Sequence, residues 1–315
     1  MGKPVTFGFA VPCFNEARNL AGLLPRLECV RVDGAGPKRI VVVSDASRDG
    51  TNEIAQRFAP ASMAPTILLT NERRLGKASA VNRAIGEMAD IDVIVLVSAD
   101  VVPGDGCIEK LVGEFHDERV GVAGGRVIPF GPLRNATVRV TRLLWELHHC
   151  ITTRYPKTTE ITAFRNVIAG IDETSLVDEA ELEARLKSRG FVTRYVPEAH
   201  ILSPSPLTLA DYLKRRTSIT FGYLDLRRRH GYFVETQSLN ERWRAIREVG
   251  WWRIGFETLF LAGMLEAIVW VGAHLRFAWG RPSDGIWSRA ESTKQAAAAE
   301  EQNVPEMLCV LSRLS

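Results

Sequence analysis

Along its first third the chain alternates short apolar runs with stretches whose apolar residues recur every three or four positions. Val5 to Val11 precedes Glu16 to Leu27, Arg39 to Val43 precedes Thr51 to Phe58, Thr66 to Leu69 precedes Lys77 to Met88, and Asp92 to Val97 precedes Asp105 to Phe115. The first kind of run suits a buried strand and the second an amphipathic helix, so the alternation predicts a parallel sheet covered by helices on both faces. Ligands of such sheets bind beyond the carboxyl ends of the strands. The residues standing there are Asn15 and Glu16, Asp45 and Asp49, Asn71, and Asp100.

Past Val120 the rhythm changes. Gly121, Gly124 and Gly125 read as a turn, a strand runs through Ile128, and a long helix follows from Asn135 to about Tyr155. A strand from Ile161 to Arg165, a helix from Asp178 to Arg189, a strand from Val192 to Val196 stopped by Pro197, and a helix opening near Leu207 form a second half built around the sheet.

Composition narrows the class. With 315 residues, 46% of them hydrophobic and 24% charged, the chain is neither a disordered tail, a fibrous repeat nor a disulfide-knotted peptide. A net charge of +3 is too small for a nucleic-acid binder. The charge is unevenly spread: residues 214–253 hold ten Lys or Arg against four Asp or Glu, which leaves the rest mildly acidic. Five cysteines without a C-x-x-C pair suit a reducing cytosol, and the opening apolar run reads as a first strand rather than a signal peptide.

Four clusters carry candidate chemistry. Asn15-Glu16 opens a helix and, taken alone, is most simply a cap. In Ser44-Asp45-Ala46-Ser47-Arg48-Asp49-Gly50-Thr51, Asp49 reads as a helix cap, whereas Asp45 at the strand tip suits hydrogen bonding to a nucleotide base or ribose. Lys77 follows Gly76 at a helix N-terminus, where amides and an ammonium favour an anion such as a diphosphate; a solvated lysine fits that cluster alone equally well. Asp100 ends a strand apolar enough to be buried on both faces, so its carboxylate needs a partner, and a divalent cation is the natural one.

In order and spacing, Pro12-Cys13-Phe14-Asn15-Glu16, Ser44 to Thr51, Gly76-Lys77-Ala78-Ser79-Ala80-Val81-Asn82 and Ser98-Ala99-Asp100 resemble the family 2 glycosyltransferases. That family's pattern runs Pro-x-Tyr-Asn-Glu, Asp-Asp-Gly-Ser-x-Asp-Gly-Thr, Gly-Lys-x-x-Ala-x-Asn, then Asp-x-Asp. The resemblance covers roughly residues 5 to 230. It implies an α/β fold of the GT-A type, a Rossmann-like mixed sheet with helices on both faces, to which this chain adds a C-terminal helical segment. The implied activity is inverting, metal-dependent transfer of a sugar from a nucleotide-diphospho-sugar, a UDP-sugar foremost; a hydroxyl or phosphate acceptor, lipid-linked ones included, is expected only from the basic and apolar carboxyl-terminal region.

Donor contacts are expected from Pro12, Asn15, Glu16, Asp45, Lys77 and Ser98 of the matching motifs, and from Arg215 and Arg216 on the chemistry of their guanidinium groups. The resemblance also implies Mg²⁺ or Mn²⁺ on Asp100, with His200 as a weaker further ligand. Val177-Asp178-Glu179-Ala180-Glu181-Leu182 is similar to the family's Glu-Asp-x-x-Leu, which makes Glu179 the general base and Asp178 its neighbour; an acidic first helical turn is the simpler alternative. Ser44 and Ser98 each stand where the family has Asp. The Gln-x-x-Arg-Trp segment of processive synthases is replaced, with Arg215, Ser218 and Ile219 at its fixed positions, so transfer is expected to be non-processive. Arg215 and Arg216 suit phosphate oxygens, and a solvated basic helix face accounts for them as well. His148 and His149 point about 100° apart on a helix, which favours a structural role. The lost motif residues leave a second reading open, a degenerate member that binds nucleotide-sugar or a partner without catalysis.

The expected layout is a catalytic body over 1–230, divided into a donor half (1–130) and an acceptor half (131–230), then a helical segment over 231–280 and a loosely ordered tail over 281–315. Residues 254–275 are apolar apart from Glu257, Glu266 and His274, and Trp251, Trp252 and Trp279 flank them. That predicts attachment of a cytoplasmic body to the cell membrane, with a single span favoured by the aromatic flanks. Glu266 close to mid-span opposes a span. Glu257 and Glu266, about 180° apart, oppose an interfacial helix, and a helix buried on the body is the soluble alternative.

Overall fold

A computed structural model describes residues 5–280 together with Gly285 and Ile286; the rest of the expected tail 281–315 lies outside the described residues. The first half runs β1 (Phe7–Cys13), α1 (Ala17–Glu28), β2 (Arg39–Ser44), α2 (Thr51–Phe58), β3 (Thr66–Thr70), α3 (Lys77–Gly86), β4 (Val93–Val97), β5 (Val102–Pro103) and α4 (Cys107–Gly113). Then follow β6 (Val120–Phe130), α5 (Ala136–Thr152), β7 (Ile161–Arg165), α6 (Asp178–Ser188), β8 (Val192–Pro204) and α7 (Leu209–His230). Three helices close the described chain: α8 (Leu239–Val249), α9 (Trp251–Ile254) and α10 (Phe256–Ala278).

All eight strands join one sheet in the order β3-β2-β1-β4-β7-β6-β8-β5. β1 to β4, β6 and β8 share one direction, while β7 and the short β5 run against it. The sheet is therefore mixed, as the resemblance implies, rather than wholly parallel. Strands alternate their side chains between two cores. Phe7, Phe9 and Val11 of β1 with Val93, Val95 and Val97 of β4 face one, and Ala10, Ile94 and Leu96 face the other. Burial on both faces is what makes these strands continuous apolar runs.

Two sequence expectations need correction. Gly121, Gly124 and Gly125 lie inside β6, not in a turn. Gly124 and Gly125 are glycines because neighbouring backbone comes close, a Cβ on Gly125 standing 2.2 Å from the Ala199 carbonyl oxygen, and at Gly121 the Phe191 side chain takes the space. β8 does not stop at Pro197 either. Its register against β6 jumps between Val196 and His200, so a bulge absorbs the proline and pairing resumes to Pro204.

The chain leaves β1 toward β2 and β3 and returns to β4 on β1's other side. Where the winding reverses, the loops after β1 and β4 diverge and leave a crevice at their carboxyl ends.

Candidate active site

That crevice opens into a cavity of about 390 Å³. From the strand ends it receives Pro12 in β1 just before its last residue Cys13, Glu16 after β1, Asp45 after β2, Lys77 at the start of α3, and Ser98 and Asp100 after β4. Asp178 and Glu179, in the first turn of α6, and Arg215 and Arg216 of α7 border it too. Asn15 and His200, also expected at the site, are not among its lining residues.

Asn15 instead shapes the wall. With φ at 54° it turns its side chain back to the β2–α2 loop, where its Oδ1 accepts from the Arg48 N–H at 2.7 Å while its own N–H donates to Ser47 Oγ at 3.0 Å. Asp49 accepts from the N–H of Thr51, the first residue of α2, at 3.2 Å, but the N-cap position itself is Gly50, one residue later than expected. His200 sits in β8 in register with Arg126, and burial together with the charges of Arg126 and Lys110 lowers its pKa. The expected metal role thus loses His200 from the cavity. His149 bonds Tyr195 through Nδ1 at 2.8 Å and His148 packs edge-on against Trp145, in keeping with structural roles.

Asp45 is almost fully buried and accepts three hydrogen bonds, from Asn71 Nδ2 at 2.7 Å, the Leu75 N–H at 2.8 Å and the Gly76 N–H at 3.0 Å. One carboxylate thus holds the whole loop that delivers Lys77. Arg74 of that loop stacks its guanidinium 4.0 Å over the Phe14 ring, beside Pro12. Glu16 keeps its side chain local, accepting from Asn19 Nδ2 at 2.6 Å.

At the cavity's other wall, Lys77 Nζ lies 2.9 Å from Asp178 Oδ2 and 2.5 Å from Glu179 Oε1. Burial and the neighbouring Glu179 charge push Asp178 up to about 7. Burial also acts to raise Glu179, but the Lys77 ammonium outweighs it and holds that carboxyl below its ordinary value. Two adjacent acids are thus driven apart in proton affinity, the usual signature of separate acid–base roles. Near neutral pH Glu179 is an ionised proton acceptor facing the cavity, and the buried Asp178 holds its proton more tightly than a free carboxyl does.

Glu160 is a site residue the sequence reading missed. It precedes β7, and because β7 pairs antiparallel to β4 with Ile161 opposite Val97, the residue before it lands beside Ser98. Reading only the residues that follow strands passes over this position; an antiparallel strand reverses the rule. Glu160 bonds Arg215 at 2.7 Å. Burial raises its pKa, Arg215 opposes that, and the nearby charges of Glu179 and Asp100 add to the rise. Lys157, another unforeseen lining residue, is buried with its ammonium over the Tyr223 ring. Neither Arg215 nor Arg216 is a solvated surface charge: Arg215 is taken by Glu160, and Arg216 binds Glu266 of α10 at 2.6 Å.

Among the described residues no three His, Cys, Asp or Glu side chains form a metal cage. A hard divalent cation that shares its coordination with phosphates needs only one or two carboxylates. Asp100 and Glu160, mutually repelling acids in one cavity, meet that requirement.

Two family models match the chain, Glycosyl transferase family 2 over residues 9–174 and Glycosyl transferase family group 2 over residues 93–280. An uncharacterised protein of Methanocaldococcus jannaschii is 38% identical over 118 residues, which cover 36% of this chain and 49% of that one. The undecaprenyl-phosphate 4-deoxy-4-formamido-L-arabinose transferase of Pseudomonas syringae pv. syringae is 32% identical over 101 residues, 31% of this chain and 29% of its own. The matches thus span half or less of these curated relatives. Among solved structures, the mannosyltransferase PcManGT of Pyrobaculum calidifontis in complex with GDP-Man and Mn²⁺ superposes with a TM-score of 0.61 at 18% identity, over 87% of each chain. At that identity the likeness is one of fold.

Proposed function

The chain belongs to glycosyltransferase family 2, and from that membership we propose that it is an inverting enzyme moving a sugar from a nucleoside diphosphate to a hydroxyl or phosphate acceptor. UDP-sugars are the first donors to consider and lipid-linked molecules the first acceptors. Transfer is non-processive, and the body works at the cytoplasmic face of the cell membrane. The observation that carries this reading is the placement of an ionised Glu179, backed by Lys77 and Asp178, in the same cavity as the strand-end residues Asp45, Ser98 and Asp100.

The division of labour follows from position. Pro12, Phe14 and the stacked Arg74 offer a flat apolar and cationic edge for a nucleotide base. Asp45 keeps the loop of Gly76 and Lys77 in place and retains lone pairs for a ribose hydroxyl. Asp100 and Glu160 would hold Mg²⁺ or Mn²⁺, whose charge would offset that accumulating on the departing diphosphate. Glu179 accepts the acceptor hydroxyl's proton as its oxygen bonds to the anomeric carbon; the bond from that carbon to the diphosphate breaks, and the electron pair leaves with the nucleotide. Lys157 and Arg215 line the same cavity and suit an acceptor bearing phosphate, Arg215 by exchanging its Glu160 bond for the phosphate oxygens. The lipid part of this reading is supported by the name of the Pseudomonas relative and by the apolar helix α10 that adjoins α7.

The test is thermal stabilisation of the purified chain by a panel of nucleotide-sugars with and without Mn²⁺, followed by transfer with the donor that stabilises most. Metal-dependent stabilisation and turnover are expected. Donor binding without turnover across lipid-phosphate and sugar acceptors would overturn the catalytic reading in favour of a degenerate binding protein.

A further inference from the structure

Helix α10 has two unlike sides. Ala262, Leu265, Val269 and Ala273 are buried, and Glu266 lies on that same side, where it accepts from Arg216, Arg242 and the Tyr212 hydroxyl. Opposite them, Phe256, Phe260, Met264, Ile268, Val271 and Leu275 form an exposed stripe at helical spacing, and all are at least 46% accessible. Between Glu257 and Arg276 the outward side carries no charged residue. Exposed Trp251, Trp252, Trp270 and Trp279 extend the same apolar surface.

The helix is long and apolar enough to cross a bilayer, but its packing against α5 and α7 argues against that path. It is fastened to the catalytic body along its whole length. Glu257 pairs with Arg139 of α5 near one end, Glu266 with Arg216 in the middle, and Phe277 packs edge-on against Phe221 of α7 near the other. A crossing α10 would drag α7, with Lys214, Arg215 and Arg216, into hydrocarbon. The two carboxylates that count against an interfacial helix in the sequence are accounted for separately: Glu266 faces inward, and Glu257 is in the first turn, held by Arg139.

We propose that α10 lies in the plane of an anionic bilayer surface, with its Phe256–Leu275 stripe in the acyl boundary and its Glu266 side on the protein. Tryptophan enrichment fits the headgroup level of a membrane. Charge complementarity selects the lipid: Arg247 and Arg253, exposed on α8 and α9 just before α10 in the chain, make no ion pair among the described residues. Residues 214–253 carry six more basic than acidic groups. This inference shares the membrane setting of the function proposed above but needs no catalysis.

The test uses the full chain, purified and freed of detergent, mixed with preformed sealed vesicles of phosphatidylcholine alone or of equal parts phosphatidylcholine and phosphatidylglycerol. Flotation with the anionic vesicles, weaker flotation with the neutral ones, and release by alkaline carbonate are expected. Phe260→Asp and Ile268→Asp, each at an exposed position, should each cut vesicle partitioning by roughly tenfold or more while circular dichroism stays unchanged. Arg253→Gln should weaken binding only to the anionic vesicles. Resistance to carbonate would mean a span and overturn the proposal. So would a stable dimer in sedimentation equilibrium that ignores vesicles, with the stripe covered by a second copy. Because partitioning is read without donor or acceptor, an inactive protein that binds vesicles sinks only the transfer reading.

Discussion

Lys77 Nζ and Glu179 Oε1 meet at 2.5 Å across 102 residues of sequence, joining the start of α3 to the start of α6. This contact sets which acid of the Asp178–Glu179 pair is ionised, because the ammonium is the main force holding Glu179 down against burial. Lys77→Met should therefore raise the proton affinity of the pair. The acid limb of kcat/KM against pH is expected to move upward, with activity at pH 6 falling at least about tenfold further than activity at pH 8. A uniform loss at all pH values would assign Lys77 to donor binding alone.

Glu179→Gln keeps the shape of the site and removes the proton acceptor. Loss of a positioned base should lower kcat by roughly 10²- to 10⁴-fold, with donor-induced thermal stabilisation retained. Asp100→Asn should have the opposite profile, weakening the metal-dependent part of that stabilisation while the unliganded melting temperature hardly changes. A Glu179→Gln enzyme with wild-type kcat would transfer the proton acceptor's role to another group.

Asp178 titrates at about 7, driven up by burial and by Glu179. Above that pH its own negative charge makes Glu179 a stronger base. The kcat/KM of the wild type is expected to rise through pH 7 and that of Asp178→Asn to be flat there, as a pH–rate profile of the two would show. Coincident profiles would separate Asp178 from the chemistry.

Gly76 adopts φ of +94°, and a Cβ on it would stand 2.3 Å from the carbonyl oxygen of Gly285. Both the backbone conformation and the space require glycine. Gly76→Ala should cost about 1–3 kcal/mol by urea unfolding, and it should weaken donor binding as well, since the Gly76 N–H is one of the donors to Asp45.

The donor side of the site was legible in the sequence because a βα unit writes its ligand residues directly after each strand. Asp45 and Asp100, which line the cavity, could be found that way, whereas Lys77, beyond the loop after β3, was marked by the glycine before its helix. Glu160 escaped because strand direction is not encoded in a strand's own residues, and the useful position of a reversed strand lies before it. Gly124 and Gly125 misled for a related reason: a glycine needed for close backbone approach looks the same in sequence as one needed for a turn. In α10 the periodicity identified a helix, but not what would neutralise Glu266. Its partners Tyr212, Arg216 and Arg242 lie 54, 50 and 24 residues away, and no local pattern links them.

Those partners make Glu266 a test of how α10 is held. Burial acts to raise its pKa, but Arg216 and Arg242, with the Tyr212 hydroxyl, lower it from 4.5 to about 2. Between those values the unfolded chain binds the proton and the folded protein does not, so stability increases with pH across the window. The contribution is fully present above about pH 4.5 and is lost as pH falls toward 2, and a displacement of this size corresponds to on the order of 3 kcal/mol. Glu266→Gln carries no such titration. Urea midpoints of the wild type and the variant should therefore differ most above pH 5 and converge as the pH is lowered toward 3, where a protonated Glu266 resembles the glutamine. A constant difference between the two at every pH would mean that the arginines stabilise α10 by packing rather than by charge.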